Sequence, residues 1–324
     1  MKIYSTVSGD SLNKIAMGCW GIGGTYEIAG KPEGIPEFEN PNAILRYAFN
    51  SGINTFDTST TYGKSETILG KTYAHCRENI FIASKCGIIK DGSRNFDFDY
   101  IYRSIQNSLK RLQTHYLDLF QLTLSNHDDI HDKMIENLIT LKKKKLSRFI
   151  GISISNYSQG LKVLSYDDID SLQFVLNLID TRNVDLLELC KKRNCLPIIK
   201  SPLNKGVLTQ KKLIFDSNDS RMNYLTTERI QLRRKIAHKI LNSSFNAKID
   251  NHAYIFSENV DLKEKAILFT LSLINNGVVL FGVRKKEHID ELIKFNQKSI
   301  YNEKTLDSLI KHSNEYFNAI KHTL

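Results

Sequence analysis

The chain has 324 residues, of which 41% are hydrophobic and 25% charged, and its formal net charge is +10 at pH 7. That length suits two average domains or one large α/β barrel, and the composition is that of a globular chain rather than a disordered or fibrous one. Five cysteines (Cys19, Cys76, Cys86, Cys190, Cys195) include no C-x-x-C pair and leave an odd one over. They argue for free thiols in a reducing cytoplasm, against a disulfide framework and against a bound metal.

In chain order, "MKIYSTVSGDSLNKIAMGCW" reads as strands and a turn, an opening N-terminal β-hairpin rather than a signal peptide. Short apolar runs then alternate with longer amphipathic segments. Strand candidates are 14–19, 53–57, 80–85, 117–122, 149–154, 171–176, 195–200 and 278–282. Helix candidates are 41–51, 65–75, 99–112, 129–144, 159–164, 184–193, 261–275 and 286–296. Strand followed by helix, eight times over, predicts a parallel (β/α)8 TIM barrel as a single domain over 1–324. A doubly wound sheet competes, but no strand is followed by its Gly-x-Gly-x-x-Gly turn, and "GCWGIGG" comes too early with the wrong spacing. The stretch 203–260 reads as an insertion loop with one helix near 227–241, and 303–324 as an extra C-terminal helix. The loop 25–41 has no readable pattern.

The positive charge points to no nucleic-acid partner. The lysines are spread over helix faces, the dense run 142–145 closes a helix where cations complement its dipole, and no aromatic-and-basic module accompanies them. The longest apolar stretch, 266–283, is broken by Asn275, Asn276 and Gly277, so it reads as helix, turn and strand rather than a membrane span.

A parallel barrel aims the carboxyl ends of its strands into one mouth. Asp57 and Tyr62 follow the second strand and Lys85 ends the third. Thr123 follows the fourth, Ser153 ends the fifth and Gln173 lies on the sixth. Lys200 and Ser201 follow the seventh, and Gly282 to Arg284 the eighth. Taken singly, Asp57 could be a helix cap, Tyr62 a loop aromatic and Lys85 a snorkelling strand end. Together they assemble an acid, a phenol and an ammonium. A nearby lysine cation lowers a phenol's pKa from about 10, and an aspartate holds that lysine in place and charged. The expected product is a general acid for a carbonyl oxygen.

The segment "GINTFDTSTTYGKSETILG" resembles the Asp-Thr-Ala-x-x-Tyr-Gly-x-Ser-Glu signature of the aldo-keto reductase family. "FIASKCG", "RLQTHYLDLFQL", "FIGISISNY", "LQFVLNLID", "SPLNKGVLT" and "GVVLFGVRKKEHIDEL" continue the resemblance in order over nearly the whole chain. It implies a barrel that binds NADPH without a Rossmann domain and reduces small-molecule aldehydes or ketones through an Asp, Tyr, Lys and His tetrad. Asp57, Tyr62 and Lys85 match its first three members. Ser153 and Gln173 match side chains that hold the nicotinamide carboxamide, although Ile154 replaces the family's asparagine. Ser201, Pro202 and Leu203 match the loop under the pyrophosphate. Lys200 stands where many members carry an aromatic ring or an arginine. Arg284, with Lys285, matches the 2′-phosphate site and favours NADPH over NADH. Glu291 matches the adenine-binding glutamate, with Leu292 in place of the following asparagine. Trp20 is expected to line the substrate pocket.

The fourth tetrad member is missing: residue 123 is threonine, and sliding the alignment by two gives Ser125. His127 and His131 lie just downstream and read as surface residues that could also swing into the mouth. Three readings stand. Reduction continues with a donor supplied differently, or the chemistry has shifted to a substrate bringing its own hydroxyls, such as a keto-sugar. Otherwise, a cofactor-binding protein without catalysis remains, for sensing or assembly. "GISIS" and "NLIDTRN" look more like members found with sugar and polysaccharide biosynthesis than like mammalian steroid reductases, which points to a carbohydrate-derived carbonyl. The oligomeric state leaves no mark in the sequence.

Overall fold

The computed structural model describes residues 12–28, 30–35, 40–209, 213, 215, 219–246, 261–298 and 301–323. The opening hairpin expected ahead of residue 14 lies outside the described residues. The elements begin with β1 (Ile15–Gly18), β2 (Thr25–Ile28), β3 (Lys31–Gly34), α1 (Pro41–Asn50), β4 (Thr55–Asp57) and α2 (Ser65–Tyr73). There follow β5 (Phe81–Cys86), α3 (Phe98–Leu112), β6 (Leu117–Thr123), α4 (Asp132–Lys143), β7 (Ser147–Ser153) and α5 (Tyr157–Val163). The chain continues through β8 (Ser171–Val175), α6 (Leu186–Lys192), β9 (Leu196–Lys200), α7 (Thr227–Asn246) and α8 (Leu262–Leu273). It closes with β10 (Val278–Gly282), α9 (Lys286–Asn296) and α10 (Glu303–Ile320).

Strands β1 and β4 to β10 pair in parallel and close into a barrel of eight, β1 meeting β4 on one side and β10 on the other. Each barrel strand matches one expected from the apolar runs, and α7 and α10 are the insertion helix and the extra C-terminal helix. The stretch 25–41 corrects the expectation of a featureless loop: β2 and β3 form an antiparallel hairpin, with Thr25 opposite Gly34 and Ile28 opposite Lys31. Its turn carries Gly30 at φ 71°, a conformation that glycine adopts without steric cost.

The helices follow their periodicity. In α3, Ile101, Ile105, Leu109 and Leu112 recur on one face and are buried, each contributing about 1.5–3 kcal/mol on burial. Gln113 in the left-handed region ends that helix, and Lys110 and Arg111 sit in its last turn, where cations suit the dipole. Asn40, Asn156, Asp261 and Asn302 cap α1, α5, α8 and α10 through side-chain oxygens.

Period-two alternation sorts the strand residues into two cores. Outward-facing Met17, Phe56, Ile82, Phe120, Ile152, Phe174 and Ile199 pack in the layer beneath the helices. Inward-facing Ala16, Phe81, Ala83, Leu119, Phe149, Ile198 and Leu280 fill the barrel itself. Two residues beyond an inward position is another inward position. Ala83 leads to Lys85, Leu119 to Gln121 and Ile198 to Lys200, so the apolar plug turns polar at the carboxyl ends of the strands.

At the opposite end, the buried Asp118 carboxylate takes hydrogen bonds from Arg77 (2.6 Å), Arg148 (2.9 Å) and the Ile82 amide (2.9 Å). This cluster ties β5, β6 and β7 together where no ligand chemistry is expected.

Candidate active site

Strand register places the polar side chains side by side around the mouth. Gly18 pairs with Asp57 and with Gly282, Lys85 with Gln121, Thr123 with Ser153, and Ser153 with Gln173. Asp57 and Lys85 form a buried ion pair, Lys85 Nζ lying 2.5 Å from Asp57 Oδ1. The same ammonium donates to the Thr58 carbonyl at 2.7 Å and sits 4.8 Å from the centroid of the Tyr62 ring.

The loop bearing Tyr62 is held from several sides. Thr58 and Thr60 amides donate to the carbonyls of Ala83 and Lys85, and the Thr58 hydroxyl donates to Ser65 Oγ. The neighbouring Glu66 is buried between the Ser84 hydroxyl (2.6 Å) and Arg111 Nε (2.7 Å), so the Ser-Glu of the signature anchors the start of α2. Gly23 makes this packing possible, because a Cβ there would lie 1.8 Å from the Tyr62 carbonyl oxygen.

Burial pulls the Lys85 ammonium down, but the Asp57 carboxylate and the Tyr62 phenol more than offset this and leave it above its ordinary value. For Tyr62, burial pushes the phenol up, while Lys85 opposes and Asp57 reinforces the rise; the net direction is upward. The expectation that Lys85 brings Tyr62 below its ordinary value is therefore corrected. The cation acts in the expected sense, but removal of the hydroxyl from water outweighs it.

A directional chain of hydrogen bonds crosses the mouth. Lys200 Nζ donates to Ser153 Oγ (2.9 Å) and to the Ile154 carbonyl (3.0 Å). Ser153 donates to Gln173 Oε1 (3.1 Å), and Gln173 Nε2 donates to Asp57 Oδ2 (2.9 Å). Burial, followed by Lys85 and Lys205, lowers Lys200 to about 8, with Asp57 opposing. Gln121 Nε2 also points at Asp57 Oδ2 (3.5 Å), and its Oε1 is buried without a hydrogen-bond partner among the described residues.

Thr123 ends β6, half-buried, and the loop at Gly87 packs against its backbone. His127 and His131 are exposed and do not swing into the mouth. Ser125 is occupied structurally, its amide donating to Asp128 and its carbonyl accepting from Gln159.

Trp20 follows β1 and donates from Nε1 to the Tyr26 hydroxyl at 3.2 Å, which brings the β2–β3 hairpin against the mouth. Burial raises the Tyr26 phenol, and the neighbouring Tyr62 adds to that rise. Beyond β9, Ser201, Asn204, Lys205 and Gly206 all have positive φ, which curls the backbone of the loop containing Pro202 and Leu203. Gly282 at the end of β10 is exposed, with open space where a Cβ would stand. Half-buried Arg284 is lowered by burial and then by Arg221, which makes a bidentate pair with Asp219. Glu291 is ion-paired with Lys263 of α8.

Gln121, Tyr26, Arg221 and Asp219 were absent from the sequence-derived set. Alternation could have found Gln121, two places before Thr123. The other three depend on how the hairpin and the loop after β9 dock, for which no local pattern exists.

Eight parallel strands with polar side chains converging at their carboxyl ends define a (β/α)8 barrel with its chemistry at the mouth. The Aldo/keto reductase family model matches residues 14–311, and the chain belongs to that family. It is 26% identical over 314 residues to the uncharacterized oxidoreductase YqkF of Bacillus subtilis, covering 94% of each chain. It is 28% identical over 292 residues to D-arabinose 1-dehydrogenase of Saccharomyces cerevisiae, covering 82% of this chain and 80% of the relative. An aldo-keto reductase from Klebsiella pneumoniae, solved in complex with NADPH, has the same fold, with a TM-score of 0.63 at 17% identity over 95% of this chain and 93% of that one. Among the described residues, no helix is long and apolar enough to cross a membrane, and no group of His, Cys, Asp or Glu could hold a metal ion.

Proposed function

We propose that this protein is an NADPH-dependent carbonyl reductase acting on a small aldehyde or ketone, with a carbohydrate-derived carbonyl favoured. The observation that carries the proposal is the buried Asp57–Lys85 pair with its ammonium against the Tyr62 ring. When bound, the cofactor supplies a hydride for the carbonyl carbon. Tyr62, protonated because its phenol is held above the ordinary value, donates its proton to the carbonyl oxygen. Lys85, kept charged by Asp57, stabilises the tyrosinate left behind, and solvent returns the proton.

The donor set fits a nicotinamide dinucleotide phosphate. Ser153 and Gln173 would hold the carboxamide, and the unpartnered Gln121 Oε1 offers an acceptor nearby. The curled backbone at Ser201, with Pro202 and Leu203, would carry the pyrophosphate. Open space at Gly282 leaves room for close approach, and Arg284 beside Arg221 would take the 2′-phosphate. Glu291 would reach adenine by leaving Lys263. The name of the yeast relative, D-arabinose 1-dehydrogenase, supports the carbohydrate leaning.

Thr123 and the exposed positions of His127 and His131 favour one second reading, a barrel that binds cofactor with little or no catalysis. Turnover of a panel of aldehydes and keto-sugars separates the two. Tyr62→Phe is expected to abolish turnover while leaving NADPH affinity nearly unchanged. Undiminished turnover in that variant would sink the role of Tyr62, and no turnover by the parent would select the second reading.

A further inference from the structure

Two ammonium groups share one carboxylate in the mouth. Lys85 is neutralised directly by Asp57, whereas Lys200, among the described residues, donates to a hydroxyl and a backbone carbonyl and reaches Asp57 through Ser153 and Gln173. The charged groups acting on Lys200 are Lys85 from β5, Lys205 from the loop after β9 and Asp57 from β4. Among the described residues the balance around Lys200 is thus positive, and its ammonium sits on the serine proposed to hold the carboxamide. A carboxamide held by Ser153 and Gln173 would compete for the hydrogen bonds that tie Lys200 to Asp57. The ammonium would then be left beside the nicotinamide, with the Ile154 carbonyl as its remaining acceptor among the described residues. Ile154 offers its carbonyl there, so Lys200 would add a charged donor beside the neutral ones of Ser153 and Gln173.

We infer that Lys200 makes this barrel discriminate between the two redox forms of its cofactor, binding the reduced, electrically neutral nicotinamide ring in preference to the oxidised, cationic one. The inference rests on the cofactor site proposed above and concerns a property of that site which no residue has yet been assigned. The physical cause is repulsion between like charges in a half-buried pocket, where screening by water is weak. The consequence is directional: the oxidised product leaves more readily than the reduced cofactor, which favours carbonyl reduction over alcohol oxidation.

Isothermal titration of the intact protein with NADPH and with NADP+ tests this through binding alone. The quantity read is the ratio of the NADP+ Kd to the NADPH Kd. In Lys200→Met at pH 7 the ratio is expected to fall by about tenfold or more relative to the parent, whereas Lys200→Arg, which keeps the charge, retains it. In the parent, deprotonation of Lys200 between pH 7 and 9.5 should bring the ratio down towards that of Lys200→Met, whose own ratio stays level. A ratio unchanged within twofold in Lys200→Met overturns the inference. If that variant does not fold, a parent ratio that stays constant from pH 7 to 9.5 overturns it, and a falling one supports it. Absence of binding by either cofactor form to the parent overturns the proposed function and this inference with it. Tight binding of both forms with no dependence on Lys200 overturns this inference alone.

Discussion

Replacing Asp57 by asparagine isolates the electrostatic core of the site. Lys85 is almost wholly buried and donates to the Asp57 carboxylate and the Thr58 carbonyl, with the Tyr62 hydroxyl as a further, neutral partner. Asp57→Asn leaves an ammonium facing an amide, a carbonyl and a neutral phenol, and breaking a buried ion pair in this way costs about 3–5 kcal/mol. The single amide oxygen can accept from Gln173 or from Lys85 but not from both, so one donor loses its acceptor and the expectation spans that range, about 3–5 kcal/mol. The pH dependence sharpens the test. In the parent, the folded-state pKa of Lys85 is raised, so its stabilisation is complete below the unfolded value of about 10.4 and is lost only as pH rises through the folded value. In Asp57→Asn the attraction to Asp57 is gone and burial dominates, so the folded value drops below the unfolded one. The penalty is then greatest at neutral pH and shrinks as pH rises through that lowered value. Urea unfolding of parent and variant at pH 7, 8.5 and 10 should show a stability gap that narrows with pH. A gap below about 1 kcal/mol at pH 7, or one that is as wide at pH 10, would refute the assignment of Lys85 as a buried cation held by Asp57.

Thr123→His supplies a donor at the end of β6 and is expected to raise kcat for a plain aldehyde by up to roughly 10²-fold, read by cofactor absorbance; a fall would mean that the threonine contacts substrate. Gly23→Ala puts a methyl group into the Tyr62 carbonyl, so the loop must shift. It should lower both Tm and turnover, and a variant with parental values would show that the loops after β1 and β4 are not packed as described. Arg284→Ala should weaken NADPH binding about tenfold or more while changing NADH binding little, measured side by side; equal loss for both cofactors would remove the 2′-phosphate role.

The barrel was legible because its strands are buried on both faces and therefore read as apolar runs, with amphipathic helices between them. The convergence of the candidate residues was legible for a related reason. Asp57, Lys85, Ser153 and Lys200 are polar residues that break such runs at their carboxyl ends, where a core strand has no structural use for them. The β2–β3 hairpin was hidden because each strand has four residues: "TYEI" alternates over too short a span to stand out, and "KPEG" carries a proline and a glycine, which strands disfavour. The pairs Glu66–Arg111 and Asp219–Arg221 with Arg284 depend on docking between distant segments or on loop shape. The direction of the Tyr62 shift was misjudged for a physical reason as well: sequence reveals the cation beside the phenol but not how much water the fold removes from it.

The central claim is tested most directly by titrating the protein with NADPH and, in parallel, NADH, following the fluorescence of Trp20, the only tryptophan in the chain. The account predicts saturable quenching with low-micromolar or tighter affinity for NADPH, clearly better than for NADH. No binding of either cofactor would contradict it and leave Ile154, Lys200 and Leu292 as marks of a dismantled cofactor site.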